Sequence, residues 1–242
     1  MGKVERKCGQ KASQTAELIF EDVYVPEENL WEPPGRGLRH TREILSTTRG
    51  FIGASALGVA KGALERCIGF ASRKKIGDHF LIDEDWVRFA IADMIKDIKT
   101  VRAASYNFAI SVDTYHVMGL FESLPVKTAL KMIPERVLLS EFVQTLGGLS
   151  LVESLAGKIK NRMVSDATVE HFVKEGSAVK VAGTDLAMNV SSRVLDIVGL
   201  EGMSHRYGME KCFRDAKVTQ IYEGSNQACR LDLFHQEIGS PQ

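Results

Sequence analysis

One carboxylate in this sequence stands where close chemical work is possible. Residues 214–227 read RDAKVTQIYEGSNQ. Glu223 follows the aromatic Tyr222 and precedes Gly224, and Ser225 and Asn226 open a last helical stretch, residues 227–238. Gly224 lets the backbone approach another group closely. Ser225 can cap the helix and leave its first N–H groups facing an anion. A base beside an anion-binding helix start is one reading. An ordinary cap or surface ion-pair partner is the other, and the residue types leave both open.

The whole run resembles the signature of the acyl-CoA dehydrogenase family, in which Arg-Asp-Ala-Lys, a few residues and Tyr-Glu-Gly-Thr/Ser-x-Gln lead into the last helix. Desaturating an acyl thioester needs a base for the Cα proton and an acceptor for the Cβ hydride. It also needs hydrogen bonds that polarise the thioester oxygen as enolate character develops. A buried carboxylate with a raised pKa is a competent base. Side chains do not accept hydride, so a flavin or nicotinamide is required. No G-x-G-x-x-G follows a strand, so a Rossmann nicotinamide site is not indicated. The resemblance implies FAD, with N5 taking the hydride and Glu223 taking the α-proton while its backbone N–H helps hold the thioester oxygen. It further implies that Tyr222 lines the acyl pocket, that Gly224 lets thioester and flavin come close, and that Ser225 and Gln227 contact FAD.

Further positions follow from the same resemblance. Some members carry the base on the first long helix beside an arginine. Here those positions are Thr48 and Arg49. Thr48 is not a carboxylate, which leaves Glu223 as the candidate base, and Arg49 matches the active-site arginine. Residues 73–77, RKKIG, resemble the Arg-Lys-x-Phe-Gly turn whose arginine contacts the FAD pyrophosphate of a neighbouring subunit. Arg73 is suited to that by its guanidinium fork. Ile76 replaces the usual Phe. Residues 196–202, DIVGLEG, align with Gln-x-Phe-Gly-Gly-x-Gly, which holds the adenine end of FAD across the dimer. Gly199 and Gly202 are retained, while Asp196 replaces Gln and Leu200 replaces Gly.

The elements that must position these residues read mainly as helices. From Leu38 the chain has helical periodicity, with Ile52, Ala56, Val59, Ala63, Cys67 and Phe70 on one face. Gly53, Ala54, Gly58 and Gly62 permit close helix contacts, and the helix is expected to stop near Lys75. A second helix begins at the acids Asp83, Glu84 and Asp85, which suit an N-terminal dipole. Its stripe is Val87, Ile91, Met94, Ile98, Val101, Ser105 and Phe108. A third, residues 168–198, carries Val179, Ala182, Leu186, Val190, Val194 and Ile197. Long helices with short polar connections predict an antiparallel bundle. Residues 15–20 and 22–25 read as short extended segments and resemble the closing strands of the family's middle β-domain.

The expected fold is therefore mainly α: an antiparallel bundle of the acyl-CoA dehydrogenase C-terminal type behind a short β remnant. Residues 1–35 form the β-domain tail and linker, and residues 36–242 the bundle. Residues 119–165 form an extra helical insertion, read as a surface hairpin or as a cap over a substrate or partner site. The family's first domain and most of its second have no counterpart here, so the chain is expected not to oxidise acyl-CoA alone. A non-catalytic oligomerisation or split-enzyme subunit is the alternative, and a flavin monooxygenase on the same fold a third.

Lys and Arg together number 31, as do Asp and Glu, so no nucleic-acid or membrane partner is indicated. Neither a spanning segment nor a secretory signal is read. The four scattered cysteines and six histidines show no metal-ligand spacing. They fit a reduced cytoplasmic setting with buried or inert thiols. Expected partners are an acyl-CoA substrate, an electron-transfer flavoprotein and a second copy of the chain, as a homodimer or homotetramer.

Overall fold

The computed structural model describes residues 2–30, 34–35, 37–114 and 166–239. The proposed insertion at residues 119–165 lies outside them. Among the described residues the helices are α1 (Gly37–Ala71), α2 (Asp85–Thr114), α3 (Asp166–Gly202), α4 (Met209–Thr219) and α5 (Asn226–Ile238). Two 3₁₀ turns, Glu27–Asn29 and Leu81–Asp83, and one pair of two-residue strands, β1 (Lys75–Ile76) and β2 (His79–Phe80), complete the described elements.

The three long helices form the frame. α2 runs antiparallel to both neighbours: its late residue Phe108 meets Gly50 near the start of α1, and its Ser111 hydrogen-bonds His171 near the start of α3. α1 and α3 consequently run in the same direction, Ser46 against Gly176, Gly53 against Gly183 and Lys74 paired with Glu201.

The α1–α3 crossing is the tightest in the frame. A Cβ on Gly176 would lie 2.3 Å from the Ser46 carbonyl oxygen, and one on Gly183 2.3 Å from that of Gly53. Backbone therefore rests on backbone, which only glycine allows. Of the small residues expected to make such contacts, Gly53 does. Ala54 is exposed, and Gly58 has open space where a Cβ would go.

Apolar burial follows the expected stripes with one clear exception. Ala56, Ala63, Cys67 and Phe70 of α1, Val87, Ile91, Met94, Ile98 and Phe108 of α2, and Val179, Val190, Val194 and Ile197 of α3 are buried. Each large side chain so buried contributes roughly 1.5–3 kcal/mol before entropy. Ala182, placed in the third stripe, is exposed. The inward face of α3 instead turns through Ser177, Lys180, Thr184 and Ser191, all buried. A polar line thus runs through the middle of an apolar stripe.

Two local expectations change. α1 ends at Ala71, not near Lys75, because Lys75 and Ile76 pair with Phe80 and His79 around Gly77, whose φ of +59° makes the tight turn. Residues 15–20 and 22–25 form no strand ladder. Ala16 alone makes an antiparallel bridge, to Val4, and no further strand lies alongside among the described residues. The N-terminal segment is instead seated on α4. The Gln10 N–H donates to Asp215 Oδ1 at 2.6 Å, and Arg214 Nη1 donates to the Cys8 carbonyl at 3.1 Å. The charged pair of the signature therefore anchors backbone. Of the four free thiols, Cys67 and Cys229 are buried, Cys212 is half-buried and Cys8 is exposed.

Candidate active site at the Glu223 turn

Between α4 and α5 the chain reverses in six residues. The Ile221 N–H donates to the Val218 carbonyl at 3.0 Å, and the Asn226 N–H donates back to the Gln220 carbonyl at 3.0 Å, closing the loop. The reversal needs left-handed backbone at two successive positions, Glu223 (φ +56°) and Gly224 (φ +93°). Glycine adopts this freely, but a glutamate there costs roughly 1–2 kcal/mol. The surrounding contacts must supply that.

They come from three sides. Thr48 Oγ1 on α1 donates to Glu223 Oε2 at 2.8 Å. Arg49 Nε, one residue on, donates to the Glu223 carbonyl at 3.2 Å. Arg49 Nη1 donates to Ser177 Oγ of α3 at 2.9 Å and to Asp232 Oδ2 of α5 at 2.6 Å. Arg49 is buried, so its charge is answered by Asp232 and its donors are used on three elements. A side chain at position 224 would put its Cβ 3.0 Å from Arg49 Nη2. Position 224 thus combines a positive φ with a crowded guanidinium.

From α3, Lys180 Nζ donates to the Gly224 carbonyl at 2.6 Å and to Asn226 Oδ1 at 2.7 Å. Asn226 Nδ2 donates to Thr184 Oγ1 at 2.8 Å and to Asp185 Oδ1 at 2.7 Å, and Gln220 Nε2 reaches the same Asp185 oxygen at 2.7 Å. Burial pulls the Lys180 ammonium below the usual lysine range, and the Arg49 charge adds to this, against the opposing pull of Cys229, Asp185 and Glu223. Ser177, Lys180, Thr184, Asp185 and Asp232 were not singled out from sequence. The available signal was the polar line inside the α3 stripe.

The remaining sequence-selected residues fall into two groups. Ser225 accepts from the Ala228 N–H at 3.2 Å and so caps α5, and Gln227 is exposed on its first turn. Tyr222 is half-buried, its hydroxyl taking a hydrogen bond from Gln10 Nε2 at 3.4 Å. It lines a cavity of about 520 Å³ shared with Lys7, Gln10, Thr15, Val218 and Ile221. Glu223 stands outside that lining and is half-buried, less enclosed than a desolvated base.

Arg73, Asp196 and Gly199 are not part of this cluster. The stretch of α1 from Arg49 to its end at Ala71 spans about 33 Å at ~1.5 Å per residue. Arg73 lies beyond that end. Asp196 and Gly199 lie near the same end of α3, where Glu201 pairs with Lys74. Arg73 and Asp196 are exposed. Gly199 breaks the α3 backbone with φ +58° and ψ −164°, and nothing lies within 4 Å of where its Cβ would be. The candidate cofactor residues therefore sit at two opposite ends of one chain. Among the described residues no group of three His, Cys, Asp or Glu gathers as a metal site, and no helix is long and apolar enough to cross a membrane.

Known proteins are similar to this chain over nearly its whole length. The mitochondrial short-chain specific acyl-CoA dehydrogenase of Sus scrofa is 26% identical over 231 residues, which is 96% of this chain and 43% of that protein. A probable acyl-CoA dehydrogenase of Mycobacterium tuberculosis is 28% identical, over 96% of this chain and 46% of its own. The butyryl-CoA dehydrogenase of Megasphaera elsdenii superposes with a TM-score of 0.68 at 25% identity, covering 96% of this chain and 46% of that one. The nitroalkane oxidase of Podospora anserina shares the fold, with a TM-score of 0.71 at 16% identity and coverages of 99% and 45%. The chain thus spans less than half the length of the curated relatives it matches, 43% and 46% of the two above. The sequence profile of the family described as acyl-CoA dehydrogenase, C-terminal domain, matches residues 35–173 and 149–236, and the chain belongs to that family.

Proposed function

We propose that this chain supplies the base-bearing part of an FAD-dependent site for α,β-desaturation of an acyl-CoA thioester. One observation carries the reading: a glutamate held in left-handed backbone, its carboxylate aligned by Thr48 and its carbonyl by Arg49. In this reading Glu223 takes the Cα proton. The hydrogen bond from Thr48 Oγ1 fixes one carboxylate oxygen and leaves the other for the proton. Arg49 on the Glu223 carbonyl fixes the peptide plane that follows Glu223, which steadies the turn while the Glu223 N–H, in the preceding peptide, would serve the thioester oxygen. Gly224 keeps side-chain bulk away from that oxygen. Tyr222 walls the acyl side, facing the cavity it shares with the N-terminal segment.

FAD, when bound, would supply the hydride acceptor. The exposed Arg73 guanidinium and the open Gly199 turn fit a phosphate-bearing cofactor at the far end of the bundle. Ser225 and Gln227 offer hydrogen-bonding groups at the near end. A separation of about 30 Å between the two groups favours their serving two different FAD molecules. That supports a homodimer or higher oligomer in which each copy lends its far end to the other's site. The family's electron-transfer flavoprotein is the expected oxidant of the reduced flavin. Residues 1–35 serve in this reading as the tail of a β-domain, residues 36–242 as the bundle and residues 119–165 as its insertion. The purified chain is expected not to oxidise acyl-CoA unaided.

The test is the visible spectrum after FAD is added and excess removed, in the chain alone and with the family's remaining domains supplied. Anaerobic bleaching by an acyl-CoA in the complete assembly, lost in Glu223→Gln with folding intact, is the expected result. Tetramers that never retain flavin would favour a non-catalytic assembly role. Oxygen-dependent turnover would favour a monooxygenase.

A further inference from the structure

Among the described residues Arg49 and Lys180 are the two buried cations, and the desaturation reading uses only Arg49. Lys180 is fully buried on α3 between Val179 and Thr184, in a stripe that otherwise packs apolar and small residues. A buried ammonium is retained only where acceptors are fixed for it. Its two acceptors are the Gly224 carbonyl at 2.6 Å and Asn226 Oδ1 at 2.7 Å. Arg49 holds the preceding carbonyl, that of Glu223, at 3.2 Å. Two successive carbonyls are thus each gripped by a cation rooted on a different helix. The residue between those grips is Gly224, with φ +93°, and the left-handed Glu223 immediately precedes it.

We propose that Lys180 is the positioning residue of the Glu223 turn, its ammonium fixing the Gly224 carbonyl and the Asn226 side chain so that Glu223 stays left-handed and keeps its carboxylate on Thr48. Arg49 alone fixes the peptide plane that joins Glu223 to Gly224. Lys180 fixes the next plane, on the far side of Gly224, and ties it to Asn226, the first residue of α5, so that the turn has no slack into which Glu223 could relax. Without it the Gly224 carbonyl is free to rotate, and glycine offers little resistance. The catalytic consequence rests on the desaturation reading, but the conformational one does not.

The experiment uses the full chain as Lys180→Met, a side chain of similar length without a donor, and as Lys180→Arg. The first readout is the backbone coupling and carbon shifts of Glu223 by NMR. The second is release of deuterium from α-deuterated acyl-CoA in the FAD-loaded complete assembly. The expected result is loss of the left-handed signature in Lys180→Met, with a fall of roughly tenfold or more in the limiting rate of deuterium release and little change in KM. Lys180→Arg should recover part of both. A Lys180→Met chain that keeps the Glu223 signature overturns the inference. If the FAD-loaded complete assembly holding the unmutated chain releases no deuterium, the desaturation reading fails while the NMR arm still decides the role of Lys180.

Should Lys180→Met not fold, the unmutated chain is titrated upward in pH with labelled lysine. The charged and titratable groups facing Nζ are Arg49 from α1, Asp185 on α3, Glu223 in the turn and Cys229 on α5. The Glu223 and Gly224 amide signals should move with the Nζ midpoint. Signals that stay fixed through it contradict the proposal.

Discussion

Glu223, Thr48 and Arg49 meet although 174 residues separate Arg49 from Glu223. Their pairing was legible only because the RDAKVTQIYEGSNQ run and the Thr48–Arg49 pair each resemble family positions. Neither periodicity nor composition brings them together. Lys180 was not legible in that way. As a lysine in a helical stripe it reads as a solvated residue, and its partners, the Gly224 carbonyl and Asn226, lie 44 and 46 residues further on. Asp232 escaped for a similar reason: its partner Arg49 lies 183 residues earlier. At this scale Thr48→Val gives a direct test. It removes one hydrogen bond to the Glu223 carboxylate while keeping the shape, a loss of about 0.5–1.5 kcal/mol or slightly more for a charged acceptor. We expect a few-fold to about tenfold slower α-proton release with a Tm lower by roughly 1–6 °C, measured by deuterium loss and by calorimetry. An unchanged rate would remove Thr48 from the account.

The helices place these residues through the α1–α3 crossing. Gly53 was legible as a contact residue, but Gly183, which rests on it, and Gly176, which rests on Ser46, were not, because α3 was read by its apolar residues alone. The expected strands at residues 15–25 failed for a physical reason. Extended, β-branched sequence forms a ladder only beside another strand, and the described residues offer a bridge at Ala16 alone. Gly183→Ala would push a Cβ to 2.3 Å from the Gly53 carbonyl and drive the helices apart. The expected cost is about 1–3 kcal/mol, or roughly 2–4 °C of Tm per kcal/mol. Arg49 should then lose its hold on Ser177, so the Glu223 NMR signature should shift as well. An unchanged Tm would contradict the backbone contact.

Cys67 tests the packing of the same helix. Burial raises its thiol from 9.0 to about 11. The unfolded thiol ionises first, so between those values the unfolded state has fewer protons bound. The Cys67 contribution is therefore fully present below pH 9 and is lost as pH rises toward 11. Relative to Cys67→Ala, the native chain should lose stability across that window and not below it, as read from urea midpoints. A difference independent of pH would mean that the thiol is not buried.

For the molecule as a whole, the two ends of the bundle carry different work. The Glu223 end gathers the proposed base, the Ser225-capped start of α5 and the two cations Arg49 and Lys180. The far end gathers Arg73, Asp196 and the Gly199 break. The bundle class was legible from helical periodicity. The direction of α3 relative to α1 was not, since it depends on how α2 returns. Arg73→Gln, at an exposed position, should leave Tm unchanged and weaken FAD retention several-fold, measured by flavin absorbance after gel filtration in the complete assembly. Full retention would exclude Arg73 from the cofactor shell. Fold alone does not choose the reaction, since an oxidase of nitroalkanes shares it. The choice rests on Glu223 as a base for an α-proton. The most direct measurement is deuterium release from α-deuterated acyl-CoA by the FAD-loaded complete assembly, comparing the native chain with Glu223→Gln. Release that falls by about 10²–10⁴-fold in the variant, with folding intact, is the predicted result. Equal release from both, or none from the complete assembly that holds the native chain, would contradict the assignment of Glu223.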